Sequence, residues 1–312
     1  MRLSFFIIFC ISQVYSFAQT KTDEKAAIEY FINKYPNGQK EAEGKYINGK
    51  EHDKWMYWHS NGQLKQVANF NVGRLHGNVT YYYPNGDKKD EGFFVAGKQD
   101  GNYTSWYSNK NVKLQGKYTK DNKSGRWISY YENGNKEWEG NYKHNQKDSV
   151  FTYWYPTGQV FKKVYHSKVY DSVLVGWDKN GEQTVINGKG ELMEFYDDGS
   201  PKGKLIYNNG KIHGKVIKWY KNGNVWYISE FKKGIKNGIH KVYYLNGQIK
   251  DSTQFVNGKE HGKFYSFKLN GTKESEGFFK MGLEDSSWVW FNKGFVRIEG
   301  TFKNGLRNGK WT

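Results

Sequence analysis

Histidines and acidic residues are the side chains of this 312-residue chain that could ligate a metal ion or transfer protons. His52, His76, His213 and His261 all lie nine residues before an Asn-Gly pair. Copies on neighbouring hairpins would be two strands apart, about 10 Å, which is too far for two imidazoles to share a zinc ion. We therefore interpret them as turn residues and predict no metal site.

Patterns typical of catalysis are missing from the sequence. It contains no HExxH pair, Walker loop, GxSxG elbow or Gly-rich dinucleotide fingerprint. Glu41, Glu43, Glu137 and Glu139 lie beside lysines, as solvated cross-strand pairs do. Cys10, the only cysteine, lies in an apolar N-terminal run. The sequence thus predicts a protein that is not an enzyme and binds no cofactor.

The N-terminus is organised like a secretory signal peptide. A positive start precedes an apolar run from Leu3 to Val14, and the small residues Ser16 and Ala18 occupy the −3 and −1 positions of a cleavage site. We predict that residues 1–18 are removed and that the protein is exported to the periplasm, the cell envelope or the extracellular space. No transmembrane segment is expected after this cleavage.

The chain is strongly basic, with a formal net charge of +17 at pH 7. Such a balance suits an acidic partner, for example nucleic acid, an anionic lipid or a polyanionic glycan. The lysines are nevertheless spread over repeated positions, where they would solvate strands and prevent edge-to-edge aggregation. We favour that explanation over a specific polyanion site, and export argues against nucleic acid as a partner.

One unit of 24 residues recurs along the chain: Asn61 follows Asn37 by 24 residues, and Asn85 follows Asn61 by the same interval. The unit reads N-G-x-x-K-x-x-G-x-[FY]-x-x-G-K-x-x-G-x-W-x-x-[WY]-Y-x. About 12 copies fill residues 35–312. Self-similarity at a fixed period indicates an architecture in which each unit packs on its neighbours.

The unit has the turns and strands of a β-hairpin. Asn-Gly is predicted to close a type I′ turn with positive φ at both residues, and Gly-Lys-x-x-Gly a longer return turn. Glycines beside aromatic residues leave room for a ring to lie across bare backbone. An aromatic seam at the fifth and third positions before the turn Asn is the predicted core. Its members are Met56/Trp58, Thr80/Tyr82, Ile128/Tyr130, Ile217/Trp219 and Tyr265/Phe267. The predicted fold is all-β, an elongated antiparallel β-hairpin ribbon that forms a meander of about 12 repeats of 24 residues.

The repeats are preceded by a leader, residues 19–34, and interrupted by an irregular segment near residues 147–190. In the leader, Asp23 to Ile32 has the pattern of a short helix that would cap the first strand, the alternative being a disordered segment. Near the irregular segment, the spacing from Asn180 to Asp198 shrinks to 18 residues. This irregularity indicates either drift or a bend, or else a specialised contact site or a boundary between two repeat blocks.

The segments GKIHGKVIKWYKNG (210–223) and GKEHGKFYSFKLNG (258–271) resemble the MORN repeat, and more closely the bacterial MORN-repeat variant, whose members are described as antitoxin-like or membrane-binding. The resemblance covers nearly all of the predicted mature chain. It implies an extended ribbon of antiparallel hairpins. It also implies a scaffold for protein contacts or for association with membrane phospholipids.

We therefore predict a non-enzymatic, exported repeat scaffold for protein–protein interaction at the cell envelope. Tyr and Trp rows flanked by lysines suit interaction hot spots. The candidate residues are Trp58, Tyr82, Trp106, Tyr130, Trp154, Trp219 and Tyr243. The alternatives are binding of glycan or cell wall, binding of an anionic membrane surface through the same rows, and antitoxin- or immunity-like partner binding. A protein is thus the expected partner, with polysaccharide and anionic lipid as alternatives.

Overall fold

A computed structural model describes residues 27–312 of the chain. All regular secondary structure in this range is β-strand, and the 26 strands pair antiparallel. The strands up to Lys143 are β1 (Ile28–Lys34), β2 (Lys40–Ile47), β3 (Lys50–Trp58), β4 (Leu64–Asn71), β5 (Arg74–Tyr82), β6 (Lys88–Val95), β7 (Lys98–Trp106), β8 (Val112–Thr119), β9 (Asn122–Tyr130) and β10 (Lys136–Lys143). The strands that follow are β11 (Gln146–Trp154), β12 (Val160–His166), β13 (Asp171–Trp177), β14 (Gln183–Ile186), β15 (Lys189–Phe195), β16 (Pro201–Asn208), β17 (Lys211–Ile212), β18 (Gly214–Trp219), β19 (Val225–Lys232), β20 (Ile235–Tyr243), β21 (Ile249–Val256), β22 (Lys259–Phe267), β23 (Lys273–Lys280), β24 (Leu283–Asn292), β25 (Phe295–Lys303) and β26 (Leu306–Asn308). The predicted all-β hairpin meander is confirmed.

The strands belong to two compact units, one that ends at Lys147 and one that comprises Asp148–Thr312. Unit 1 and unit 2 are described separately below. In each unit, consecutive strands form hairpins, as the repeat pattern predicts.

The start of the chain corrects one prediction and leaves another outside the described residues. The predicted signal peptide, residues 1–18, lies outside that range. The predicted helix is wrong for residues 28–32, because these belong to β1, in which Phe31 pairs with Gly44 of β2. The ring centroid of Phe31 lies 5.7 Å from that of Tyr46 and 5.6 Å from that of Trp55. These ring contacts are available to a paired strand, and packing of this kind overrides a weak local helix preference.

The two turn types are the reverse of the prediction. At Asn37-Gly38, the Gly38 N–H donates to the Tyr35 carbonyl at 2.9 Å, and the Tyr35 N–H donates to the Gln39 carbonyl at 2.8 Å. Gly38 has a φ of 82°. This is a three-residue loop, a type I turn followed by a left-handed glycine. Pro36 favours it, because its fixed φ suits the second position of a type I turn.

The tight two-residue turns connect the strands at the ends opposite to the three-residue turns. Asn48 and Gly49 both have positive φ, 53° and 71°. Positive φ at both turn residues also occurs where the first residue is not Asn. Val72 and Met281 occupy this first position with φ of 51° and 54°. Asn-Gly is compatible with either turn, so the neighbouring residues decide which one forms.

The buried core also lies on the other face from the predicted seam. The most buried large side chains of the repeats occupy the sixth position before the turn, as Trp55 does at 2% exposure. The equivalent residues are Val79, Trp127, Phe151 and Val216. Met56 and Trp58 of the predicted seam are only half-buried. Side chains alternate along a strand, so the seam residues face the opposite way from Trp55.

Glycine makes the tryptophan packing possible. A Cβ on Gly44 would overlap the indole of Trp55, and one on Gly116 would overlap that of Trp127. Each indole therefore lies directly on bare backbone. Its Nε1–H donates to a carbonyl of the adjacent strand, at 3.2 Å from Trp127 to Lys117. The predicted packing of rings across glycine is confirmed.

In unit 2, residues of the irregular segment and of the strands that follow it form a compact, mainly aliphatic core. Its buried members are Val164, Val173, Val185, Leu192, Leu205, Tyr207 and Val216. The shortened hairpin is accommodated because its turn bonds to β13 on one side and to the turn at Gly210 on the other. The Gly188 N–H donates to the Leu174 carbonyl at 2.7 Å, and the Gly210 N–H donates to the Gly188 carbonyl at 2.9 Å. A side chain at Gly188 would clash with the backbone of Gly210, so this close approach requires glycine.

Candidate interaction surface

Each unit presents two chemically different faces. We name the face with the buried sixth-position residues, such as Trp55 and Val79, the Trp55 face. The opposite face carries the third-position aromatic residues, such as Trp58 and Tyr82, and is named the Trp58 face. Alternation along the strand assigns each residue to one face or the other.

All seven predicted interaction residues occupy the third position. They are Trp58, Tyr82, Trp106 and Tyr130 in unit 1, and Trp154, Trp219 and Tyr243 in unit 2, and every one is half-buried. Each ends a strand and pairs with the first residue of the following strand, as Trp58 does with Leu64. In unit 1 the structure brings four of them into one row, with neighbours about 10 Å apart.

Lysines lie over two indoles of this row. The Lys40 Nζ is 5.4 Å from the Trp58 ring centroid and 2.6 Å from the Glu43 carboxylate. Lys88 repeats the arrangement 48 residues later, 5.7 Å from the Trp106 ring and 2.6 Å from a glutamate. Exposed cation–π contacts contribute about 0.5–1 kcal/mol. The Trp58 face therefore presents aromatic surface, ammonium and carboxylate at regular positions.

A turn tyrosine joins most repeats to the next, and at the equivalent position the His59 ring lies 3.1 Å from the Tyr82 carbonyl. The Tyr35 hydroxyl donates to the Trp58 carbonyl at 2.8 Å, and the Tyr83 hydroxyl donates to the Trp106 carbonyl at 2.9 Å. The same bond links Tyr107 to Tyr130, Tyr155 to Trp177, Tyr196 to Trp219, Tyr220 to Tyr243 and Tyr244 to Phe267. These bonds hold the backbone of the interaction row. Sequence reasoning missed this role, although the tyrosine two residues before the turn Asn recurs in most repeats.

Unit 2 also contains a charged cluster that the sequence did not indicate. Glu194 lies between Lys162, at 3.4 Å, and Lys218, with which it forms a close ion pair. Burial raises the pKa of Glu194, but the two ammonium groups and their hydrogen bonds outweigh this, so its pKa lies below the ordinary value. The cluster is brought together by β12 of the irregular segment and by β15 and β18, which follow it.

Of the histidines singled out by their spacing, three lie in strands β3, β5 and β22, so their interpretation as turn residues is wrong, and His213 lies between β17 and β18. His52 contacts the Asp53 carboxylate at 3.1 Å, and His76 is exposed. His213 and His261 are half-buried. Within residues 27–312, no three His, Cys, Asp or Glu side chains are grouped so that they could hold a metal ion. Over the same residues, the chain forms no helix long and apolar enough to cross a membrane.

The solved structures to which the chain was matched share little sequence with it. The TcdB2–TccC3 structure is 11% identical, with 88% of this chain and 17% of that chain covered and a TM-score of 0.19. The Photorhabdus luminescens Tc holotoxin pore is 11% identical, with 85% and 16% covered and a TM-score of 0.19. A porin-like protein from Bacteroides uniformis is 9% identical, with 88% and 93% covered and a TM-score of 0.16. The chain thus spans less than a fifth of the first two structures.

Comparison with known families gives a sharper result. No curated protein matches the sequence. Residues 75–96, 123–144, 212–233 and 236–257 each match the MORN repeat variant. Each matched segment contains the three-residue turn of one hairpin and most or all of its two flanking strands. Sequence period, hairpin geometry and these four matches agree that the chain is a MORN-repeat protein.

Proposed function

We propose that this protein is a non-catalytic, exported scaffold that binds another protein through its Trp58 face, at the cell envelope. The observation that carries the proposal is the row Trp58, Tyr82, Trp106 and Tyr130. These side chains are half-buried, so they are held in place but retain accessible surface. Aromatic residues of this kind dominate protein–protein interfaces.

The surroundings of the row support a protein partner. The Lys40–Glu43 and Lys88–Glu91 pairs place both charges beside the indoles. A partner can therefore bury aromatic surface and exchange polar contacts around it, which is the organisation of a hot spot and its rim. The turn-tyrosine bonds fix the backbone of the row before a partner binds. Binding therefore costs little additional conformational entropy.

Photo-crosslinking in cells tests this proposal. A photoreactive phenylalanine at Tyr82 lies on the Trp58 face, and one at the neighbouring Tyr81 lies on the opposite face as a matched control. We expect one discrete protein adduct from position 82 and none from position 81. Equal adducts from both positions, or no adduct from any of the four row positions, would contradict the proposal.

Export is tested separately by fractionation and N-terminal sequencing. We expect a mature chain that begins at Gln19 in the envelope or extracellular fraction, because the small residues Ser16 and Ala18 suit signal cleavage. A chain that keeps Met1 and stays in the cytoplasm would overturn this part of the proposal without affecting the crosslinking result.

A further inference from the structure

A β-bulge recurs after the three-residue turns. In β4 the register shifts between Leu64 and Gln66, so that Lys65 faces no partner residue. The same shift leaves Lys89 without a cross-strand partner in β6 and Lys113 in β8. A bulge re-aims the extra side chain. Three successive repeats of unit 1 thus present lysine from the same position, and we name these three residues the lysine column.

Two lysines of the column rest on fixed aromatic rings. The Lys89 Nζ lies 5.8 Å from the Tyr83 ring centroid, and the Lys113 Nζ lies 5.3 Å from that of Tyr107. These tyrosines are anchored by the hydroxyl bonds that join the repeats. The supported lysines therefore lose less freedom on binding than free lysines would.

The charge of the column is uncompensated. Within residues 27–312, none of its three ammonium groups forms an ion pair, and all three side chains are exposed. Nearby carboxylates are already engaged, Glu91 with Lys88 at 2.6 Å and Asp87 with Lys110 at 3.1 Å. The column is thus distinct from the paired lysines that surround it.

The spacing of the column selects the kind of anion. Neighbouring members are two strands apart, so the charges recur about every 10 Å. Glu41 and Glu137 occupy the equivalent positions in the preceding and following repeats, which bounds the positive column at both ends. A nucleic-acid strand carries a phosphate about every 3.4 Å, which is much denser. A polysaccharide with one carboxylate per disaccharide has a repeat comparable to that of the column.

We infer that Lys65, Lys89 and Lys113 bind a linear acidic polysaccharide that carries one carboxylate per disaccharide. This role goes beyond the proposed protein scaffold. The chain would lie across the strands, along the row of turn tyrosines, with successive carboxylates at successive lysines. Sugar rings between the carboxylates would then pass over the turn tyrosines that join the repeats.

Hyaluronan fragments of defined length test the inference with the full mature chain. The column variant replaces Lys65, Lys89 and Lys113 with Gln. The matched control replaces Lys54, Lys98 and Lys143, which are exposed lysines of the same unit, so that both variants lose the same net charge. Circular dichroism confirms that both remain folded, and calorimetry measures binding at several salt concentrations.

We expect the column variant to bind at least about 10-fold more weakly than wild type. The slope of log K against log salt concentration should decrease in magnitude by about 2, and the control should stay close to wild type. Uncharged dextran of equal length should not bind. Equal losses in the two variants would refute the inference, because net charge alone would then explain binding. If the column variant lost as much affinity for a DNA duplex as for hyaluronan, the claim that charge spacing selects the polysaccharide would be refuted.

Discussion

Gly116→Ala isolates the contact that holds the core of unit 1. The new Cβ would overlap three indole atoms of Trp127, a side chain with no exposed surface. Gly116 does not have a positive φ, so alanine adds no backbone strain. The effect of the substitution is therefore the displacement of the indole.

The magnitude follows from the surface that the indole buries. A buried tryptophan removes about 150–250 Å² from water, which corresponds to about 4–6 kcal/mol at 25 cal/mol per Å². Partial displacement retains some of this burial, and overpacking by itself costs about 1–3 kcal/mol. The Trp127 Nε1–H bond to Lys117 is strained or lost as well. We expect a loss of about 2–4 kcal/mol.

Gly92→Ala is the matched control, since Gly92 occupies the same position 24 residues earlier. Its Cβ would lie 2.6 Å from Nε2 of Gln99, the far end of a flexible side chain that can rotate away. We expect a change within about 0.5 kcal/mol.

Hydrogen exchange of β8 and β9 under mild urea is the appropriate assay, because repeat arrays lose stability locally. Full protection of these strands in Gly116→Ala, or an equal loss of protection around Gly92 in the control, would refute the reasoning.

Further predictions concern a hydroxyl bond and two titrating groups. Tyr107→Phe removes a repeat-joining hydroxyl and should cost about 1 kcal/mol in thermal or urea unfolding, whereas Tyr165→Phe at an exposed position should not; equal effects would argue against the bond. Burial, and secondarily Lys236, lower the pKa of His240 from 6.5 to about 4. Because its folded-state pKa lies below the unfolded value, its contribution is present above pH 6.5 and is lost as pH falls towards 4. His240→Gln should make the urea midpoint of unfolding less dependent on pH over that range, and a pH dependence equal to that of wild type would contradict this. Glu194→Gln leaves two lysines without their partner and should cost about 1–3 kcal/mol at pH 7. This loss should diminish in acid, where the wild-type carboxylate is protonated as pH falls through its lowered pKa; a loss independent of pH would show that the ion pairs do not contribute.

The hairpin repeat was predictable because its signals are local. Pairs such as Asn37-Gly38 and Asn48-Gly49 mark turns wherever they stand, and aromatic runs between turns favour strands. The lysines of the column are visible in the sequence too, but nothing there separates Lys89 from the paired Lys88. That difference depends on the bulge, which exists only once two strands are in register.

The sequence by itself determined the period, the hairpins and the candidate row on one face. Which face is buried was decided by the tertiary structure, because Trp55 and Trp58 both belong to alternating aromatic sets and either face could have become the core. The deciding contact joins Trp55 to Gly44 on another strand. Likewise, Glu194 meets Lys162 and Lys218 only after the irregular segment has folded. Contacts between strands depend on register, and register follows from the packing of the whole sheet.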